Sequence, residues 1–215
     1  DIPKRWPLVT PPQNRTGQVT TDGRLVNCYV EKDPSTGLYW IEKRPGLQTT
    51  APIASGSGLG TYFWSSIVWA IFGDAIWYRS GVAFRAGMNI LGGPYRWTDI
   101  QDSTPLLFTK NTQAAYYTDG AVSTQVVDVD YPATTVPGVA FLDGTVYVMR
   151  PDARIYGSDL NLPGSWNPLN FIVAQTIPGN GVFLMNHLSY VCALKEFSTE
   201  FFYNAGNPAP GSPLS

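Results

Sequence analysis

The chain has 215 residues, 44% of them apolar, which is enough to bury a core in one or two domains and excludes a disordered chain. Its net charge of −2 excludes the basic face on which proteins that bind nucleic-acid duplexes depend. Glycine (21 residues), proline (18) and aromatic residues (13%) disfavour helices and favour an all-β fold with many turns.

The first segment, residues 1–23, is predicted to be an extended, proline-rich arm, mostly without regular structure and tied down by Trp6 and Leu8. After it, Arg24–Lys43 alternates between apolar and polar residues on either side of the turn Asp33–Gly37, which predicts a β-hairpin. At the other end, residues 207–215 are interpreted as a proline- and glycine-rich linker or a truncated end.

Between these ends one pattern recurs: an apolar strand, a polar turn, and a strand rich in tyrosine or tryptophan. The turns are predicted near residues 73, 111, 144 and 186. At the third of them, Asp143 and Gly144 should both adopt positive φ, as the centre of a tight hairpin requires. After Leu160 the sequence predicts a loop rich in proline, asparagine and tryptophan.

Turns about 40 residues apart, with four strands per unit, are typical of β-propellers. The predicted fold is therefore all-β, with antiparallel four-stranded blades that form a complete or partial β-propeller over residues 24–206. A β-sandwich or an irregular β-fold is the alternative.

The side chains that could carry chemistry have simpler structural interpretations. His187, the only histidine, lies at a predicted turn, whereas a zinc site needs three or four nitrogen or sulfur ligands. A glycosidase needs two carboxylates, and the candidates are Asp128, Asp130, Asp152, Asp159 and Glu196. Tryptophans that could stack on sugars are Trp64, Trp69, Trp77, Trp97 and Trp166. Cys28 and Cys192 are interpreted as buried thiols, with a disulfide as the alternative. We predict no enzyme activity, no metal and no cofactor.

Two parts of the sequence carry a family resemblance. One is Arg24–Glu31 followed by Glu42–Leu47. The other combines, in order, Ile155–Leu160, Trp166–Phe171, Ala174, Leu188–Cys192 and Lys195–Tyr203. Together they resemble the P22-type podovirus tail accessory proteins, which are also called packaged-DNA stabilisation proteins.

This resemblance implies a β-propeller subunit in a hexameric ring below the portal and adaptor of a short phage tail. The ring would help to close the channel through which DNA leaves, with transient contact to DNA, and would hold tail fibres, spikes or a needle. The protein would then be a structural part of the virion, assembled in the host cytoplasm and without a membrane anchor. Candidate contacts with other subunits or rings are Lys4, Arg5, Trp6, Arg15, Trp166 and Asn167. The alternative is a carbohydrate-binding or glycosidase-type β-propeller.

Overall fold

A computed structural model of the chain describes residues 5–8, 28–43, 56–78, 83–85, 88–101, 105–208 and 210–215. Across these ranges the secondary structure consists of antiparallel strands and turns, without a helix, so the predicted all-β class is confirmed. It follows that no described helix could span a membrane. The chain divides into two compact units, Asp1–Ala51 and Pro52–Ser215.

The N-terminal unit contains a three-stranded sheet of β1 (Arg5–Leu8), β2 (Cys28–Lys32) and β3 (Tyr39–Lys43), in the order β1-β3-β2. The hairpin of β2 and β3 is the one that the sequence predicts, and the Asp33 carboxylate organises its turn by accepting bonds from the amide and hydroxyl of Ser35. The predicted arm differs in one respect: part of it is the strand β1. Pairing with β3 satisfies backbone groups there, and Pro7 is tolerated because β1 is an edge strand.

The C-terminal unit contains four successive antiparallel sheets, which we call blades 1 to 4. Blade 1 comprises β4 (Gly58–Trp64), β5 (Ile67–Phe72), β6 (Ala75–Tyr78) and β7 (Ala83–Arg85). Blade 2 comprises β8 (Arg96–Ile100), β9 (Leu106–Lys110), β10 (Ala115–Thr118) and β11 (Ser123–Gln125). Blade 3 comprises β12 (Ala140–Leu142), β13 (Thr145–Met149), β14 (Arg154–Asp159) and β15 (Leu162–Val173). Blade 4 comprises β16 (Gly181–His187), β17 (Tyr190–Lys195) and β18 (Thr199–Phe202).

The blades are connected as in a β-propeller. Within each blade the strands pair in chain order, and the first strands β4, β8, β12 and β16 contact one another in sequence. These strands begin at residues 58, 96, 140 and 181, so the repeat is about 40 residues long. The described residues therefore form part of a propeller, with three four-stranded blades and one of three strands.

The predicted turns are not equivalent to one another. Those at Gly73 and Asn111 join the second and third strands of their blades, whereas Asp143-Gly144 joins the first and second. The hairpin predicted around residue 186 is present, but its turn lies two residues later, at residues 188–189, so that Asn186 itself lies within β16. Asn186 is polar for another reason, since its side chain bonds to the backbone of the neighbouring blade.

The prediction of a loop after Leu160 is wrong. Leu162–Val173 is instead the longest strand of the structure described. It pairs with β14 through two register shifts around Ser158, which break the simple alternation of a strand. Its prolines, Pro163 and Pro168, are tolerated because β15 is the edge of blade 3 and an edge strand does not need every amide for pairing.

Apolar clusters between consecutive blades form the core. Strand β13 shows the principle, because all five of its residues are buried and alternate between the two faces of blade 3. Val146 and Val148 pack with Phe108 of blade 2, whereas Tyr147 and Met149 pack with residues of blade 4. Blades 1 and 2 share a third cluster of Ile71, Ile76, Met88, Tyr95, Ala114 and Tyr116.

Residues 207–208 and 210–215 belong to the segment predicted to be a linker or a truncated end, and this part of the chain packs against blades 3 and 4. Leu214 is 2% exposed and belongs to the cluster between blades 3 and 4. Beside it, Tyr203 and Ser215 exchange two backbone hydrogen bonds, and Ala205 donates to the carbonyl of Pro213. Burial of Leu214 and these backbone hydrogen bonds together favour packing of the segment over an extended conformation.

Candidate functional site

A cleft of about 680 Å³ lies between the first strands of the four blades. Each blade contributes to its lining because first strands face the centre of a propeller. The lining residues come from β4 and blade 2 (Tyr62, Arg96, Trp97, Thr98, Asp99, Gln101), from the start of blade 3 (Gly138, Val139, Phe141, Asp143, Gly144) and from β16 (Phe183, Leu184, Met185, Asn186). This is the place where the described fold gathers aromatic and charged side chains.

One wall of the cleft is an aromatic pair with an acid beside it. The rings of Tyr62 and Trp97 stack with centroids 6.1 Å apart and planes 11° from parallel. The Tyr62 hydroxyl donates to Asp99 at 3.2 Å, and the Gln101 amide donates to the other carboxylate oxygen at 3.4 Å. Burial, together with the negative charge of Asp99, raises the pKa of Tyr62. The phenol therefore keeps its proton and remains a donor to Asp99.

The other wall connects separate blades through side chains. The Arg96 guanidinium lies 5.9 Å from the centre of the Phe183 ring, within the range of a cation–π contact. The Asn186 side chain bonds to Phe141 twice: its oxygen accepts from the backbone amide at 2.8 Å, and its nitrogen donates to the carbonyl. Asn186 thus replaces a backbone partner and joins β12 to β16.

Lys110 is a buried cation at the end of β9. Its side-chain nitrogen donates to the carbonyls of Val136 at 2.7 Å and Gly138 at 3.0 Å, which fastens the segment entering blade 3 onto blade 2. Burial, and then the positive charge of Arg96, lowers the pKa of Lys110 to about 7. At the same place Gly138 approaches blade 4 so closely that a Cβ on it would lie 2.1 Å from the Leu184 carbonyl oxygen.

Lys195 performs a similar task between blades 3 and 4. Its side-chain nitrogen donates to the carbonyls of Ala174 and Ile177, and pairs with Glu200 at 3.1 Å. The hydroxyl of Thr176 donates to the second oxygen of Glu200. Burial disfavours the Glu200 carboxylate, but the bonds from Lys195 and Thr176 hold its pKa below the usual value. The connection between the two blades is therefore tied at one ion pair.

Four of the five acids that the sequence suggested for a glycosidase have a local partner for their carboxylates. Asp128 accepts from the backbone amides of Asp130 and Trp166, and Asp159 accepts from the Ser165 hydroxyl. Asp152 pairs with Arg150 and Arg154, and Glu196 accepts from Asn180. The fifth acid, Asp130, takes part in this network through its backbone amide. None of the five lines the cleft, whose acids are Asp99 and Asp143.

The prediction that Trp166 contacts another subunit is wrong, because the side chain is buried within the chain. It is 4% exposed, its indole donates to the carbonyl of Pro163, and the ring of Tyr131 meets it edge-on at 5.0 Å. Asn167 is partly exposed and accepts from the backbone amide of Leu169. The other predicted contacts lie outside the description: Lys4 and Arg15 entirely, and Arg5 and Trp6 as side chains on β1.

Among the other tryptophans that the sequence suggested for sugar stacking, Trp69 is buried and packs against Trp64, as core packing predicts. Trp97 is the member of that set that lines the cleft. The side chain of Trp77 lies outside the description.

The histidine and the cysteines have structural surroundings. His187 is exposed at the end of β16, with its ring 6.1 Å from that of Phe201. Cys192 is a free, buried thiol whose pKa is raised by burial, and the Cys28 side chain lies outside the described part of the chain. Within that part, no three histidines, cysteines or acids are grouped as metal ligands.

Comparison with known proteins gives structural likenesses only. No family model matches the chain, and no curated protein matches it. Solved structures similar to it include the computationally designed Ika4 protein (TM-score 0.48, 13% identity, covering 70% of this chain and 92% of that one). Others are KlAtg21, solved with the coiled coil of AgAtg16 (0.47, 10%, 70% and 53%), and the Neurospora crassa Pan2 WD40 domain (0.46, 14%, 69% and 47%). This chain therefore spans about half the length of those two.

Proposed function

We propose that the chain is a structural subunit of the tail hub or nozzle of a short-tailed phage. In this role it works in a ring, helps to close the channel through which DNA leaves, and anchors neighbouring tail parts. Its contribution is mechanical, because the packed blades supply a rigid wall. The resemblance of Ile155–Leu160 and of Lys195–Tyr203 to tail accessory proteins is the origin of the proposal.

The observation that carries it is the use of polar side chains as braces between blades. Lys110 holds the entry to blade 3, Lys195 and Glu200 hold the connection to blade 4, and Asn186 joins β12 to β16. Buried charges with several hydrogen bonds fix one arrangement of their surroundings at a cost in desolvation. Such contacts between blades suit a subunit that must stay rigid under mechanical load.

The segments of the resemblance have the same character. Trp166 and Asn170 are buried in β15, and Lys195 is buried at the end of β17. Each of these buried residues stabilises the strands around it. The residues on which the resemblance is based therefore have a structural role in blades 3 and 4. A pattern of this kind suits a wall that other proteins dock onto.

Recovery of the chain from phage particles tests the proposal. The chain is tagged in the genome that encodes it, particles are purified on a density gradient, and tagged protein is quantified against the major capsid protein. The tail proposal predicts several copies per particle, at a fixed ratio that survives high-salt washing. Tag found only in the particle-free fraction would overturn it.

Carbohydrate binding at the cleft is the second candidate function. The observation in its favour is the wall of Tyr62 and Trp97 with Asp99 and Gln101 beside it, since sugar sites combine aromatic faces with polar groups. A glycan array probed with the purified chain tests this, with Trp97→Ala as the variant that should lose any signal. The control is Leu91→Ala, which alters an exposed apolar residue outside the cleft.

A further inference from the structure

Each internal blade has two apolar faces, one packed on the blade before it and one packed on the blade after it. In blade 3, Val146 and Val148 face backward to blade 2, and Tyr147 and Met149 face forward to blade 4. A repeat of this kind buries its faces only where a neighbour exists on each side. The four described blades provide no neighbour for the backward face of blade 1 or for the forward face of blade 4.

The backward face of blade 1 is apolar and exposed. On β5 the residues Trp69 and Ile71 point to the buried side, and Ile71 packs toward blade 2. The opposite side carries the cross-strand pair Phe63 and Val68, which are 67% and 48% exposed. Alternation of side chains across a strand places these two sets on opposite faces.

The forward face of blade 4 has the same character. Leu184 and Val191 pack back onto blade 3. On the other side, Met185, Cys192 and Phe201 lie in register across the three strands, and the ring of Tyr190 meets that of Phe201 edge-on. Phe201 is 54% exposed, and Met185 and Tyr190 are exposed as well. The residues named on this face carry no charge at neutral pH.

We propose that these two faces are the halves of one interface between copies of this chain. The forward face of blade 4 in one copy packs on the backward face of blade 1 in the next, as blade 3 packs on blade 4 within the chain. The contact is heterologous, so it closes a ring if the rotation between copies allows. The four described blades of two copies would make eight, which lies within the range of about four to eight blades for known propellers.

A second copy is the occupant that the structure favours, because one chain carries both complementary faces. Each face continues an interface that the chain already builds three times between its own blades. Exposed apolar patches rimmed by polar residues are typical of protein interfaces. The inference concerns how two copies join, and it does not depend on the phage-tail proposal or on the number of copies in a tail ring.

Sedimentation velocity of the purified chain with two single variants tests the interface. The 23.5-kDa chain should sediment as a dimer or larger closed species. Phe63→Glu and Phe201→Glu should each sediment as a monomer, since either change places a charge in both junctions of a closed pair. Val129→Glu is the matched control, because Val129 is 93% exposed in a loop outside both faces and its variant should associate like the natural chain.

Mixing the variants decides the direction of the contact. A mixture of Phe63→Glu and Phe201→Glu retains one unaltered pair of faces, and should form a dimer that neither variant forms alone. Self-association of Phe63→Glu alone, without involvement of blade 1, would show a symmetric contact and overturn the proposal. A natural chain that stays monomeric at high micromolar concentration would also overturn the proposal. The two faces would then be left to another protein or another segment. The tail proposal would still be decided separately, by recovery of the chain from phage particles.

Discussion

Lys110 shows how one residue can join two blades and set a pH dependence at the same time. Its amine donates to two carbonyls of the segment that leads into blade 3, in a site from which water is excluded. Nothing in the apolar run Leu106–Lys110 announces this role, because a lysine ending a strand ordinarily points into solvent. The one unusual feature that the sequence offers is a lysine at the end of a mostly apolar run.

We expect Lys110 to make the free energy of unfolding depend on pH. Its pKa is lowered from 10.5 to about 7 on folding, so the unfolded chain binds more protons between these values and stability rises with pH across that window. The free energy of unfolding of the natural chain, minus that of Lys110→Met, should rise by about 1.4 kcal/mol per pH unit between about pH 7.5 and 9.5.

Urea titrations of both proteins at several pH values measure this difference. Subtracting the variant removes the contributions of groups common to both proteins, including tyrosines such as Tyr147, whose pKa burial raises to about 12. A difference that stays constant with pH would show that Lys110 keeps its ordinary pKa in the folded chain.

Trp166 gives a second prediction for a single residue. Its indole is buried between Tyr131 and the carbonyl of Pro163, so Trp166→Ala should lower the free energy of unfolding by about 3–5 kcal/mol. The neighbouring change Asn167→Ala removes a local hydrogen bond at a partly exposed site and should cost about 1 kcal/mol. Equal effects in thermal denaturation would contradict the assignment of Trp166 to the core.

At the scale of elements, the start of blade 3 approaches blade 4 closely at Gly138. This residue has a φ of 95° and forms a bridge with Leu184, so a side chain there is both strained and in collision with backbone. Gly138→Ala should cost about 2–4 kcal/mol. Gly206→Ala is the control: Gly206 has a φ of 66° but no atom within 4 Å of its Cβ position, and should cost about 1–2 kcal/mol.

The C-terminal segment should stabilise blades 3 and 4. Leu214→Ala removes a buried side chain from their shared cluster and should lower the free energy of unfolding by about 2–5 kcal/mol. Leu188→Ala, at an exposed turn position, should change it by less than about 0.5 kcal/mol. If the two variants denature alike, the segment after Tyr203 does not pack in solution.

Strands with regular alternation and tight turns were predictable from the sequence. The strand Thr145–Met149 directly follows the turn predicted near residue 144, and Asp143 and Gly144 have φ values of 47° and 84°, as that turn requires. A strand that the sequence did not reveal, Arg96–Ile100, has mixed polarity because four of its five residues line the cleft. Pattern alone cannot separate such a strand from a loop.

The candidate site was less predictable than the fold. Trp97 was a candidate for a binding role, but Tyr62, Arg96 and Asn186 gain their positions from contacts between blades that are far apart in sequence. The turn predicted at Asn186 illustrates the limit, since an asparagine is equally suited to a turn and to replacing a backbone partner. Only the contact between β12 and β16, in which the Asn186 side chain bonds to the Phe141 backbone, decides between these uses.

For the whole molecule, the run of packed blades and the two open faces lead to the same expectation: the chain acts as part of a wall. Cryo-electron microscopy of phage particles that contain the chain tests this most directly. The account predicts ring density on the tail axis, with blades 1 to 4 lining the channel and the end faces covered by neighbours. A tail map in which no ring accommodates the blades, or a chain whose end faces meet only solvent, would contradict it.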